Sequence, residues 1–149
     1  MRFNAFIVIL VLVSFTNVGR SEERATIDAR AESIDGVWLP SSAELAGKPW
    51  PEEFRKITRL AINGDQYTLT VGQSPDKGTL KLDPSTTPKS LDIIGTEGPN
   101  KGKTILAIYQ LQGDELKICY DLSGKSRPAD FKTAAKTKLF LVTYQRGKS

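Results

Sequence analysis

The chain has 149 residues, 39% of them hydrophobic, with 21 basic against 17 acidic side chains, one cysteine and no histidine. That is enough for one domain with a real core, and it excludes an internal disulfide, a histidine-based triad and an imidazole metal site. The formal net charge of +4 narrows further if Arg2 and Arg20 leave with a cleaved leader, which argues against nucleic acid or another polyanion as a partner.

Met1 and Arg2 open the chain, nine apolar residues run from Ala5 to Val13, and small polar residues follow as far as Ser21. This order reads as a secretory signal peptide over residues 1–21 and places the mature protein outside the cytoplasm, secreted or periplasmic. The apolar run is far short of the roughly 20 residues a spanning helix needs, so no transmembrane segment is expected after cleavage. The only cysteine is Cys119, so no lipid-attachment cysteine follows the apolar run. Residues 22–33 are polar without an apolar stripe and are expected to form a flexible leader before a domain spanning 34–149.

The domain reads as strands and turns. Ile34 to Leu39 opens the first strand, and Ala46 to Pro51 is a loop with two prolines around Trp50. A helix of barely two turns is expected next, with Pro51 in its first turn, Glu52 and Glu53 near its positive end and Arg55 and Lys56 near its negative end. Leu60 and Ile62 then point inward before the turn Asn63-Gly64-Asp65, where Asn and Gly accept positive φ cheaply. Tyr67, Leu69 and Val71 face the core, a reversal is expected at Ser74-Pro75-Asp76, and Leu80 and Leu82 point inward. The proline-rich stretch Pro84 to Pro88 interrupts the ladder, and Leu91 and Ile93 mark the next strand.

The strongest local signal is a hairpin from Thr104 to Leu122 about Gln112-Gly113-Asp114. Leu116, Ile118 and Tyr120 fall on one face of its second arm and Lys117, Cys119 and Asp121 on the other. After a loop containing Phe131, the run from Thr137 to Arg146 supplies a last strand. Depending on whether the first strand is divided by a bend, six or five strands precede the hairpin. Even spacing of short strands predicts an all-β fold, a small antiparallel up-and-down β-barrel with one short helix, whose closure removes exposed edges.

Few of the chain's residues suggest chemistry. Gly98 to Thr104 ends like a phosphate-binding loop, but Glu97 stands where the first glycine belongs, and a strand follows where a helix is required. The acids are placed at turns (Asp65, Asp76, Asp114, Glu115) or on outer strand faces (Asp83, Asp92, Asp121), their ordinary positions for solubility and turn chemistry. Cys119 has no base to activate it and reads as a small strand residue. No calcium-loop spacing appears, so no metal and no cofactor is implied, and the chain is not read as an enzyme.

Gly36-Val37-Trp38, together with Arg146 at the end of the last strand, resembles the signature of lipocalins and the wider calycin group. That resemblance implies a lipocalin-like barrel in which Trp38 closes one end and Arg146 packs across it. The remaining lipocalin motifs are absent, so ligand binding is not carried over with the fold. The succession of motifs from Gly36-Val37-Trp38 through Ala46 to Glu53, Ile62 to Leu69, Gly78 to Ile93, Gly98 to Tyr120 and Arg127 to Phe131 resembles an uncharacterised domain family of secreted planctomycete proteins. It implies the same fold and no established activity. Trp50 stands where that family tends to carry an aliphatic residue.

Two functional readings follow. In one, Trp50, Leu60, Ile62, Tyr67, Leu69, Val71, Leu80 and Leu82 line the interior and mouth of a barrel that binds a small apolar ligand, with Trp50 as a lid. In the other, the same side chains fill a ligand-free core, Trp50 is a bottom plug, and the domain is a structural or protein-interaction module of the cell envelope. Barrels of about eight strands do either. The filled core is favoured at this level because no polar residue is placed inward to orient a ligand.

Overall fold

The computed structural model describes residues 18–148, and residues 1–17 of the expected signal peptide lie outside the described residues. Where a flexible leader was expected, the chain is helical: α1 covers Val18–Glu32. Its alanines, glutamates and arginines are good helix formers, and residues 19–26 are exposed.

From Gly36 onward the alternation of apolar and polar residues produces strands. β1 (Gly36–Leu45), β2 (Lys48–Pro49), α2 (Glu52–Lys56), β3 (Thr58–Asn63), β4 (Gln66–Val71), β5 (Ser74–Asp83), β6 (Lys89–Glu97), β7 (Thr104–Gln112), β8 (Glu115–Asp121) and β9 (Leu139–Arg146) follow in chain order. Apart from the short β2, each strand pairs antiparallel with the next, and β9 returns to β1. This is a closed eight-stranded up-and-down barrel with one extra strand, the lipocalin-like architecture expected. β1 serves two neighbours because it bends. Its first residues pair with β3 and the rest with β9, with a register shift between Pro40 and Ser42, where Pro40 has no N–H to give the ladder. β1 is nonetheless one continuous strand, not two, so the hairpin β7–β8 supplies the sixth and seventh strands of the ring.

One end of the barrel is sealed. Trp38 is fully buried and its indole N–H donates to the Ile34 carbonyl at 2.8 Å. The Arg146 guanidinium lies 4.3 Å over the Trp38 ring and donates to the carbonyls of Asp35 (2.6 Å) and Ser33 (3.0 Å) and to the Asp114 carboxylate (3.0 Å). Gly36 is required here: its φ of +128° suits glycine, and a Cβ would press on the guanidinium at 3.3 Å.

Two local readings are corrected. The reversal between β4 and β5 is the two-residue turn Gly72-Gln73, not Ser74-Pro75-Asp76, since Val71 already pairs with Ser74. Gly72 supplies the positive φ of +65° that the tight turn needs. Asp76 therefore lies within β5 and faces inward. Asp121 and Cys119, assigned to a solvent-facing side, are buried, because the loop after β8 crosses that face. The Cys119 thiol meets the Lys132 carbonyl at 3.7 Å. Asp121 accepts from the Ser123 hydroxyl (2.6 Å) and the backbone N–H groups of Ser123, Lys125 and Ser126. Arg127 pins the same loop to β6 and β7 through Asp92 (2.6 Å) and the carbonyls of Leu91 and Ala107.

Candidate functional site

The end opposite Trp38 gathers α2, the β4–β5 turn and the β6–β7 and β8–β9 loops, and beneath them the barrel encloses a cavity of about 140 Å³. Its wall is built by period two. Leu60 and Ile62 on β3, Tyr67, Leu69 and Val71 on β4, and Leu80 on β5 all line it, as the sequence pattern placed them. Leu82 does not; it lies farther toward the sealed end, half-buried against the core.

Trp50 is at the mouth, the lid position, and the bottom plug is Trp38. The Trp50 ring stacks on Phe54 of α2 (5.5 Å between centroids) and meets Phe140 of β9 edge-on at 5.2 Å. Phe140 in turn stacks on Tyr120 at 5.9 Å. Three elements thus hold one aromatic chain across the opening. α2 is held in place by the Arg55 guanidinium donating to the Ser41 carbonyl (2.7 Å) and by the Thr58 hydroxyl donating to the Phe54 carbonyl (2.5 Å).

The interior is not wholly apolar, which corrects the argument for a filled core. On the β4–β5 side, the buried Asp76 carboxylate accepts the Tyr67 hydroxyl (3.0 Å), the Asn100 backbone N–H (2.9 Å) and the Asn100 side-chain amide (2.8 Å). Asn100 belongs to the β6–β7 loop, which lies over Gly95 and packs its own Gly98 against Pro75 and Asp76 of β5; a Cβ at Gly95 would overlap the Asn100 carbonyl. On the opposite side of the ring, between β8 and β9, the hydroxyls of Tyr120 and Tyr144 meet at 2.9 Å. All five of these residues except the loop-anchored Asn100 come from strand positions, and Asp76, Asn100, Tyr67, Tyr120 and Tyr144 all line the cavity.

Burial, with the bond to Asp76 and its charge adding to it, pushes the Tyr67 hydroxyl well up from the ordinary tyrosine value. Burial pushes Tyr144 up to about 12, and burial with the neighbouring Tyr144 pushes Tyr120 well up. The phenols are therefore neutral hydrogen-bond donors throughout the ordinary pH range. Burial likewise raises the Cys119 thiol to about 11, so it is a poor nucleophile. Among the described residues no group of three or more His, Cys, Asp or Glu is arranged to hold a metal, and no helix is long and apolar enough to cross a membrane.

The sequence signal for the missed residues was weak. Ser74-Pro75-Asp76 has the composition of a turn, and Asn100 sits in a glycine-rich loop whose packing is set by residues far away in sequence. Tyr120 was visible on the apolar face of its strand with Leu116 and Ile118, but the last strand was read without assigning Tyr144 to a face, so the hydroxyl pair was not legible. Comparison with family models, with curated proteins and with solved structures finds no match to this chain.

Proposed function

We propose that the protein is an extracytoplasmic binding module that takes a small, largely apolar molecule into the barrel through the Trp50 end. The observation that carries this reading is the cavity itself: about 140 Å³, walled by aliphatic side chains and roofed by stacked aromatics. An apolar cavity of about 150 Å³ is large enough to hold benzene, so the ligand is the size of a single ring rather than a long lipid chain. The location outside the cytoplasm is supported by the charged, apolar and small-polar succession over residues 1–21.

Calorimetric titration with isopropylbenzene tests the proposal. Saturable binding at one site is expected, with Kd on the order of 10–100 µM and a negative heat-capacity change. Leu69→Trp, which fills the space from a half-buried wall position, is expected to abolish it. Absence of any heat or chemical-shift change in the wild-type protein refutes the proposal.

The second reading, a protein-interaction module, is favoured by Phe54 and Ile57, which are 45% and 50% exposed beside the mouth. A protein partner seated there would cover Trp50 and block entry of a small molecule, so partner capture and isopropylbenzene binding would be mutually exclusive.

A further inference from the structure

The Tyr120 and Tyr144 hydroxyls carry two protons and share one hydrogen bond, and neither oxygen has another partner among the described residues. Whichever hydroxyl donates within the pair, the other keeps an O–H with no acceptor from the protein. Burial keeps both neutral, so neither loses that proton near neutral pH. Both side chains line the cavity, and the polar group across the barrel does not relieve them: Asp76 is engaged by Tyr67 and Asn100. A buried donor left without an acceptor costs about as much as a lost hydrogen bond. On the β8–β9 side of the cavity, where Ile118, Phe140 and Val142 are its lining neighbours, that donor is the specific polar feature of the wall.

We infer that the bound molecule carries an acceptor oxygen on its apolar body, a ketone, aldehyde or ester carbonyl, and that the Tyr120–Tyr144 pair donates to it. This inference rests on the reading of the cavity as a ligand site and goes beyond it by naming the ligand's chemistry. The two hydroxyls are interchangeable in this role. If one is removed, the other loses its partner within the pair and its proton turns to the ligand.

The test is a cycle of two probes and four proteins. Isopropylbenzene and acetophenone have nearly the same shape, and only acetophenone has a carbonyl. They are titrated into the wild type, Tyr120→Phe, Tyr144→Phe and the double variant. Acetophenone affinity is expected to stay within about twofold in each single variant and to fall about tenfold in the double variant. Isopropylbenzene affinity is expected to be unchanged or tighter throughout, which also reports that the cavity of each variant is intact. If acetophenone binding is indifferent to the double substitution while both probes bind, the pair does not anchor the ligand and the inference is overturned, with the cavity reading left standing. If neither probe binds the wild type, the cavity reading itself fails and the inference falls with it.

Discussion

Asp76 shows how one buried residue shapes the site without touching its chemistry. The residue is 5% exposed and its carboxylate accepts three hydrogen bonds, two of them from Asn100 in a loop 24 residues away. Hydrogen bonds to a charged acceptor contribute about 1.5–3 kcal/mol each in favourable cases, and partners left behind in a buried site pay a desolvation cost. Asp76→Ala should therefore lower stability by about 3 kcal/mol, read as a drop in the urea midpoint, with hydrogen exchange at Asn100 accelerated most. Arg146 does comparable work at the other end, where its planar fork reaches two carbonyls while the guanidinium covers Trp38. A lysine keeps the charge but cannot reproduce that geometry, so Arg146→Lys should cost about 1–2 kcal/mol in the same assay. The two residues differ in how far the sequence revealed them. Gly36, Trp38 and Arg146 form a pattern whose parts are informative at fixed strand positions, whereas Asp76 looks like any acid in a turn until the register of β5 is known.

At the scale of elements, the mouth is set by pieces that are not part of the ring. The β6–β7 loop packs so closely on its own strand that Gly95 has no room for a side chain, and its N–H and carbonyl groups bond to Gly102 and Lys103 across the loop. Gly95→Ala should push Asn100 off Asp76, loosening the roof on one side. The expected outcome is lost stability of about 2 kcal/mol together with faster release of isopropylbenzene, seen by NMR exchange. Gly64→Ala, at a turn glycine with open space around it, should cost only the strain of its φ of +61°. The strands and the hairpin were legible from sequence because period two and Gly-containing turns are local signals. The outer covering of β8 was not. Cys119 and Asp121 alternate correctly with Ile118 and Tyr120, and only the path of the following loop decides that both faces are buried.

For the molecule as a whole, closure gives every strand of the eight-stranded ring two neighbours, and the side chains pointing inward share one enclosed space. That space contains all four of the chain's tyrosines in buried or cavity-lining positions. Burial raises the hydroxyl of each of them, Tyr67, Tyr109, Tyr120 and Tyr144, above the ordinary value of 10.0. The unfolded chain has tyrosines near that ordinary value, so above it the unfolded state gives up protons that the folded state holds. Stability is then full below pH 10.0 and falls as the pH rises above it toward the folded values, of which that of Tyr144 is about 12. Each phenol held protonated in this window costs about 1.4 kcal/mol per pH unit. With several acting together, the barrel is expected to unfold cooperatively soon after the window opens. Tyrosinate absorbance should then appear in the same step as the loss of the strand signal in circular dichroism, and removing two phenols in the Tyr120→Phe/Tyr144→Phe variant should make the alkaline fall in stability shallower. A smooth tyrosinate titration near the ordinary value with the circular dichroism intact would show that water reaches the phenols freely, and the enclosed interior would be refuted.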